Sequence, residues 1–178
     1  MKTAGHIDLN WVGSENKAAE EEVSGAPLPT DPFKLAERAE IAIGAIYTLL
    51  SRSFRDEPKL RALFGLLASE EEAHARRVRE VERLWHDKDV SSPPTLDTKR
   101  LGRLITHAQI LHQKLSRVDE VDENTAFELA ASMEHDFADV HAEALAQTQD
   151  PLLVKLFTEL ANGDRGHAVL LSRAKKAE

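Results

Sequence analysis

The chain has 178 residues, 42% of them hydrophobic and 30% charged, with a net charge of −8 and no cysteine. That length supports one domain with a sizeable core. The missing cysteine excludes disulfides, thiolate metal sites and a cysteine nucleophile, and the acidic balance argues against a nucleic-acid binder.

Residues 1–30 are polar and acidic and end in the turn-rich string GAPLPTDP. They read as a flexible acidic tail, with Trp11 as a stray aromatic. They also lack the apolar core of a secretory signal. No apolar run in the chain approaches the ~18 residues of a membrane span. A cytoplasmic protein without membrane contact is the expectation.

Asp31-Pro32 starts the first helix: an N-cap residue, then a proline where the missing N–H costs little. Its seam runs Phe33, Ala36, Glu40, Ile43, Tyr47, Leu50, Phe54. The second helix follows Pro58 and runs to about His86, with the seam Leu60, Phe64, Leu67, Glu71, His74, Val78, Val81, Trp85. A joining segment, residues 87–123, holds SSPP and then an amphipathic stretch from Thr98 to Val118. At 1.5 Å per residue, its roughly 20 residues cover about 30 Å, the length of a crossover along a bundle. Its Lys and Arg residues read as a solvated face. The next helix spans about Asn124 to Gln147, with Phe127, Ala130, Glu134, Phe137, His141 and Ala144 in register. Asp150-Pro151 repeats the first start signal. The last helix carries Leu153, Phe157, Leu160, Asp164, His167 and Leu171 to about Lys175. Apolar residues at steps of three and four face a helical-bundle core.

The chain also repeats itself. LRALFGLLASEEEAHARRV at 60–78 and LVKLFTELANGDRGHAVLL at 153–171 align at an offset of 93, placing Glu71 on Asp164 and His74 on His167. The first and third bundle helices align at an offset of 94, placing Glu40 on Glu134 and Tyr47 on His141. The unit repeated is therefore a helical hairpin. Acid-x-x-His is a weak pattern by itself: eight histidines and 31 acids give about one match by chance. The information lies in the register, because both matches fall mid-seam at equivalent places. In each hairpin the single acid and the acid-x-x-His pair lie roughly 20 Å from the turn, so Glu40 meets Glu71 and His74, and Glu134 meets Asp164 and His167. Buried ionised carboxylates cost several kcal/mol each unless compensated. Two divalent cations would balance four of them, and an oxygen-plus-imidazole set suits iron or manganese, with zinc also accommodated.

Each residue also has a plainer reading. Glu40 and Glu71 could be surface acids, the latter within the run Glu70-Glu71-Glu72, and Glu134 could pair with His135. Asn162-Gly163 is turn-prone and could end the last helix before His167. Tyr47 and His141 divide between hydrogen-bonding a ligand carboxylate and plain core packing, with His141 also a potential extra ligand.

The residues quoted, Glu40 with Tyr47, Glu71-x-x-His74 in ASEEEAHA, Glu134 in LAASMEHD and Asp164-x-x-His167 in GDRGHA, resemble the ferritin-like di-iron carboxylate superfamily and within it the rubrerythrin-type branch. The resemblance covers about residues 33–174. It implies an all-α, ferritin-like four-helix bundle at 31–178, built from two hairpins with a long helical crossover. It implies two iron ions (manganese or zinc in their place also fitting) on Glu40, Glu71, His74, Glu134, Asp164 and His167. Glu71 and Asp164 are the expected bridges and Glu134 a rival. It implies reduction of peroxide or dioxygen, or oxidation of Fe(II), an external electron donor, and by analogy a homodimer. Three departures stand out: Asp164 where the family usually has Glu, Phe137 where rubrerythrins carry a further glutamate, and no cysteine for a rubredoxin-like iron domain. The competing expectation is a non-catalytic module with a degenerate site, serving metal storage or as an interaction scaffold.

Overall fold

The helices begin where the local chemistry starts them. The computed structural model describes residues 28–88, 95–118 and 120–177 and contains α1 (Pro32–Ser53), α2 (Pro58–His86), α3 (Thr98–Leu115), α4 (Glu123–Gln147) and α5 (Pro151–Ala177). Asp31 caps α1 by accepting from the Lys34 amide at 2.9 Å, with Pro32 at the first helical position. Asp97 caps α3 through the Arg100 amide at 2.8 Å, and Asp122 caps α4 through the Thr125 amide at 3.0 Å. Asp150 accepts from the Leu152 amide at 2.8 Å and pairs with Lys88 at 3.2 Å, tying the start of α5 to the end of α2. Each cap satisfies an amide that the first turn would otherwise leave without a partner.

The α1–α2 and α4–α5 hairpins pack together, and α3 lies against α1 on the outside. Leu28, just ahead of α1, packs at Gly102 near the start of α3, while Ala42 and Ala45 share a groove with Ala108 and Gln109. The two helices therefore run the same way, so α3 returns the chain to the end where α4 must begin. The buried stripe of α3 is Leu101, Leu104, Ile105, Ala108, Leu111 and Leu115. On its other side Arg100, partly buried, reaches Glu143 at 2.6 Å, and the Nε of Arg103 is buried without a hydrogen bond. All-α architecture, two hairpins and a helical crossover match the expectation from the sequence, and no strand occurs among the described residues. No described helix is long and apolar enough to cross a membrane.

Three local expectations change. The crossover helix stops at Leu115 rather than Val118, and α4 starts one residue earlier than expected, on a cap the seam did not announce. Asn162-Gly163 does not end α5, which stays helical throughout, with no glycine at positive φ among the described residues. Leu160, Ala161 and Asp164 are buried on either side of that pair, and tertiary packing overrides its weak local preference. Trp11, nearly all of the proposed tail and the SSPP string lie outside the described residues.

An aromatic cluster closes the core between the α1–α2 turn and the charged level. Phe64 of α2 lies 6.2 Å from Tyr47, 5.6 Å from Phe54 and 6.0 Å from Phe127, ring centre to ring centre. It joins α1, α2 and α4 and is fully buried. Phe64→Ala should therefore cost about 3–5 kcal/mol, read as a fall in thermal midpoint on the order of 10 °C.

Candidate metal centre

Mid-bundle, the four core helices direct polar side chains into an otherwise apolar interior. Glu40 comes from α1, Glu71 from α2, Glu134 and His141 from α4, and Asp164 and His167 from α5, all of them buried. His74 of α2 is partly buried, its side chain 18% exposed. Every residue singled out from the sequence for this site is therefore brought to one level, Tyr47 included. The surface alternatives fail on burial. Glu40 and Glu71 are sealed in the core, and His135 points outward towards Asp139, leaving Glu134 to the interior.

The geometry centres on Glu71. One of its oxygens lies 3.2 Å from Nδ1 of His74 and the other 2.9 Å from Nδ1 of His167. His74 Nδ1 is also 3.3 Å from Glu40, and His167 Nδ1 is 3.2 Å from Glu134. The two imidazoles stack with centres 5.6 Å apart. Two groups of side chains are compact enough to hold a cation each: Glu40, Glu71, His74 and Asp164, and Glu71, Glu134 and His167. Glu71 belongs to both. Asp164, expected as a second bridge, joins only the first group. It is one methylene shorter than glutamate, and Nδ1 of His141 holds one of its oxygens at 2.8 Å.

Tyr47 and His141 occupy equivalent places in the two hairpins, but Tyr47 bonds a carboxylate of the opposite hairpin and His141 one of its own. The Tyr47 hydroxyl donates to Glu134. His141 meets Asp164, and its Nε2 lies 3.4 Å from Glu40. Both are fully buried beside carboxylates rather than merely packed.

The donor set fits metal ions. Both oxygens of Glu40, one each of Glu71, Glu134 and Asp164, and Nε2 of His141 are buried without a hydrogen bond. Buried polar atoms seldom go unsatisfied in native proteins, and these converge on one level. In the metal-free chain protons take up the charge. Burial pushes Glu40 up to about 8 and Glu134 up to about 7. Burial opposes charge on Glu71 as well, but the imidazoles of His167 and His74 outweigh it and hold it near 2. Against their own burial, Glu40 and Glu71 raise His74 to about 10, and Glu134 and Glu71 raise His167 to about 11. Burial lifts the Tyr47 hydroxyl well above its usual range, with Glu134 adding to it.

Two glycines permit this packing. A Cβ on Gly44 of α1 would sit 3.2 Å from Cβ of Glu71, so its absence lets α1 and α2 close at that level. A Cβ on Gly163 would fall 2.5 Å from Cε1 of His74. Gly163, read from the sequence as a turn signal, is instead a space for the histidine of the opposite hairpin. Glu70 was also missed. Read as one acid in a surface run, it bonds Nε2 of His167 at 2.6 Å. Nothing in the run Glu70-Glu71-Glu72 sets it apart from Glu72, which is also one residue from Glu71. Gly163, His74, Glu70 and His167, with Arg165 and Arg173, line an open cleft of about 850 Å³ between α2 and α5.

A family model, Rubrerythrin, matches residues 33–175, which takes in all five helices but their outermost residues. Among curated proteins and among solved structures nothing matches significantly.

Gly163→Ala should keep the helical signal in circular dichroism while displacing the His74 ring, seen as weakened zinc uptake in calorimetric titration. Gly166→Ala meets nothing within 4 Å, so it should stabilise by about 0.4–1 kcal/mol, or roughly 1–4 °C. The metal-free chain should have a distinctive pH profile. Raised Glu40 and Glu134 make the fold lose stability as pH rises from 4.5 to about 8, and raised His74 and His167 do so from 6.5 to about 10 or 11. Depressed Glu71 adds stability only as pH rises from about 2 to 4.5. Thermal midpoints measured on chelated protein should therefore peak near pH 5 and fall towards pH 9.

Proposed function

The chain belongs to the rubrerythrin family, and we propose that it is a di-iron protein that reduces peroxide or dioxygen and oxidises Fe(II). The observation that carries this reading is Glu71, whose two oxygens face different histidines and join two candidate cation groups. Glu40, His74 and Asp164 would complete one metal position, and Glu134 and His167 the other. The all-oxygen and imidazole donor set favours iron or manganese over softer metals. When bound, such a pair supplies one-electron steps and a two-point anchor for a small oxidant.

The chain's own residues supply the rest. Tyr47 fixes the orientation of Glu134 by donating to it, and His141 fixes Asp164. Phe64 and its ring neighbours pack the core on the side of the α1–α2 turn and exclude water there. On the opposite flank the cleft over His74 is the route by which a small oxidant or Fe(II) would arrive. Fe(II) is then a substrate as well as the source of the resident ions. These 178 residues hold no cysteine, so no thiolate iron site among them feeds the centre, and an electron donor outside them is part of this proposal.

The test is anaerobic titration of metal-free protein with Fe(II), followed by peroxide. Two irons per chain and a near-ultraviolet band that appears with peroxide and bleaches on reduction are expected. A paired Glu71→Ala and His74→Ala variant should lose both while retaining helicity. If the wild-type chain takes up no iron and its thermal midpoint ignores the metal, the reading fails, and a non-catalytic helical scaffold takes its place.

A further inference from the structure

The two histidines of the site are backed differently. The residue behind each ring comes from the opposite hairpin, one position before that hairpin's acid. Behind His167 stands Glu70, next to Glu71. Behind His74 stands Gly163, next to Asp164. The internal repeat aligns these two positions with each other at the same offset of 93. Glu70 lies 2.6 Å from His167 Nε2, while Nδ1 of that ring faces Glu71 at 2.9 Å and Glu134 at 3.2 Å. At the other end, the place a Gly163 Cβ would occupy is 2.6 Å from His74 Nε2 and 3.7 Å from its Nδ1. Both rings therefore turn Nδ1 inward and Nε2 outward, but only one has a carboxylate to hold it there. A side chain added at Gly163 would meet the His74 ring at 2.5 Å and displace it rather than hold it.

We propose that Glu70 is a positioning residue that fixes His167 with Nδ1 towards the Glu71–Glu134 pair, leaving His74 the unbacked and more open ring. The assignment rests on the metal reading above and deepens it. A ligating imidazole needs one nitrogen free of its proton and the other N–H held by an acceptor, which sets tautomer and ring orientation together. Glu70 supplies that acceptor from the mouth of the cleft. Its side chain is 46% exposed, whereas that of His167 is 4% exposed, so the carboxylate stays hydrated while the ring it holds is sealed. Exposure also separates its role from packing, since losing a half-exposed side chain removes little core. The Glu71–Glu134–His167 position should accordingly be the more rigid of the two, and the position at His74 the one where ligands exchange.

The experiment is calorimetric zinc titration of the full metal-free chain, with imidazole NMR of the zinc-loaded protein, for wild type, Glu70→Ala, Glu70→Gln and the neighbouring control Glu72→Ala. Glu70→Ala should weaken one of two binding steps about ten- to hundredfold and leave the other unchanged. It should also abolish the slowly exchanging Nε2–H resonance of His167. Glu70→Gln retains an acceptor oxygen and should restore that resonance and most of the affinity, and Glu72→Ala should match wild type. Wild-type affinity and an intact resonance in Glu70→Ala would overturn the assignment while leaving the metal reading in place. So would equal weakening in Glu70→Ala and Glu70→Gln, which would point to the charge of the cleft. A wild-type chain that binds no zinc would overturn both.

Discussion

Four carboxylates buried at one level of a helical core set the terms for the rest of this structure. Left ionised and unpaired, such groups would oppose folding by several kcal/mol each. The chain offsets them with three imidazoles and a phenol at the same depth, so that every acid has a nitrogen or a hydroxyl within about hydrogen-bond reach. That requirement fixes the length of each hairpin from turn to acid and the glycine at position 44, where α1 closes on α2. It also calls for apolar layers above the charged level. The compensation is incomplete, and the oxygens left over belong to the side-chain groups that could hold cations.

Much of this could be read from the residues because it follows periodic rules. Helix starts at Asp31-Pro32 and Asp150-Pro151 are local chemistry, and the seams obey a step of three and four. Counting residues from each turn was enough to bring Glu40 to Glu71 and Glu134 to His167. What escaped depends on contacts across the bundle. Asn162-Gly163 carries a turn preference, and only the fit of His74 against Gly163 explains why a helix needs glycine there. Glu70 sits in a run of three acids, and nothing in that run shows that it reaches His167 of α5 while Glu72 faces water. Asp164 matched Glu71 by position, but its shorter arm and the grip of His141 place it in one group alone. Position in a repeat predicted location well.

The same comparison shows how the two hairpins have diverged. Their backbones keep the equivalence, since Tyr47 and His141 stand at matching places beside the carboxylates and both His74 and His167 turn the same nitrogen inward. Their side chains do not. One hairpin offers a phenol to its partner and the other an imidazole; one backs its neighbour's ring with a carboxylate and the other with a bare backbone. The site is thus symmetric in frame and asymmetric in chemistry, which gives each half its own surroundings.

Because Glu71 alone serves both groups, the duplicated hairpins are not spare copies of one another. A change confined to α5, at Asp164, touches one half and leaves the other its full set of donors. A change at Glu71 on α2 removes a donor from both at once. Mutational tolerance is therefore lopsided between matched positions of the repeat: the place of Asp164 can change at the expense of one group, while the place of Glu71 is pinned by serving both.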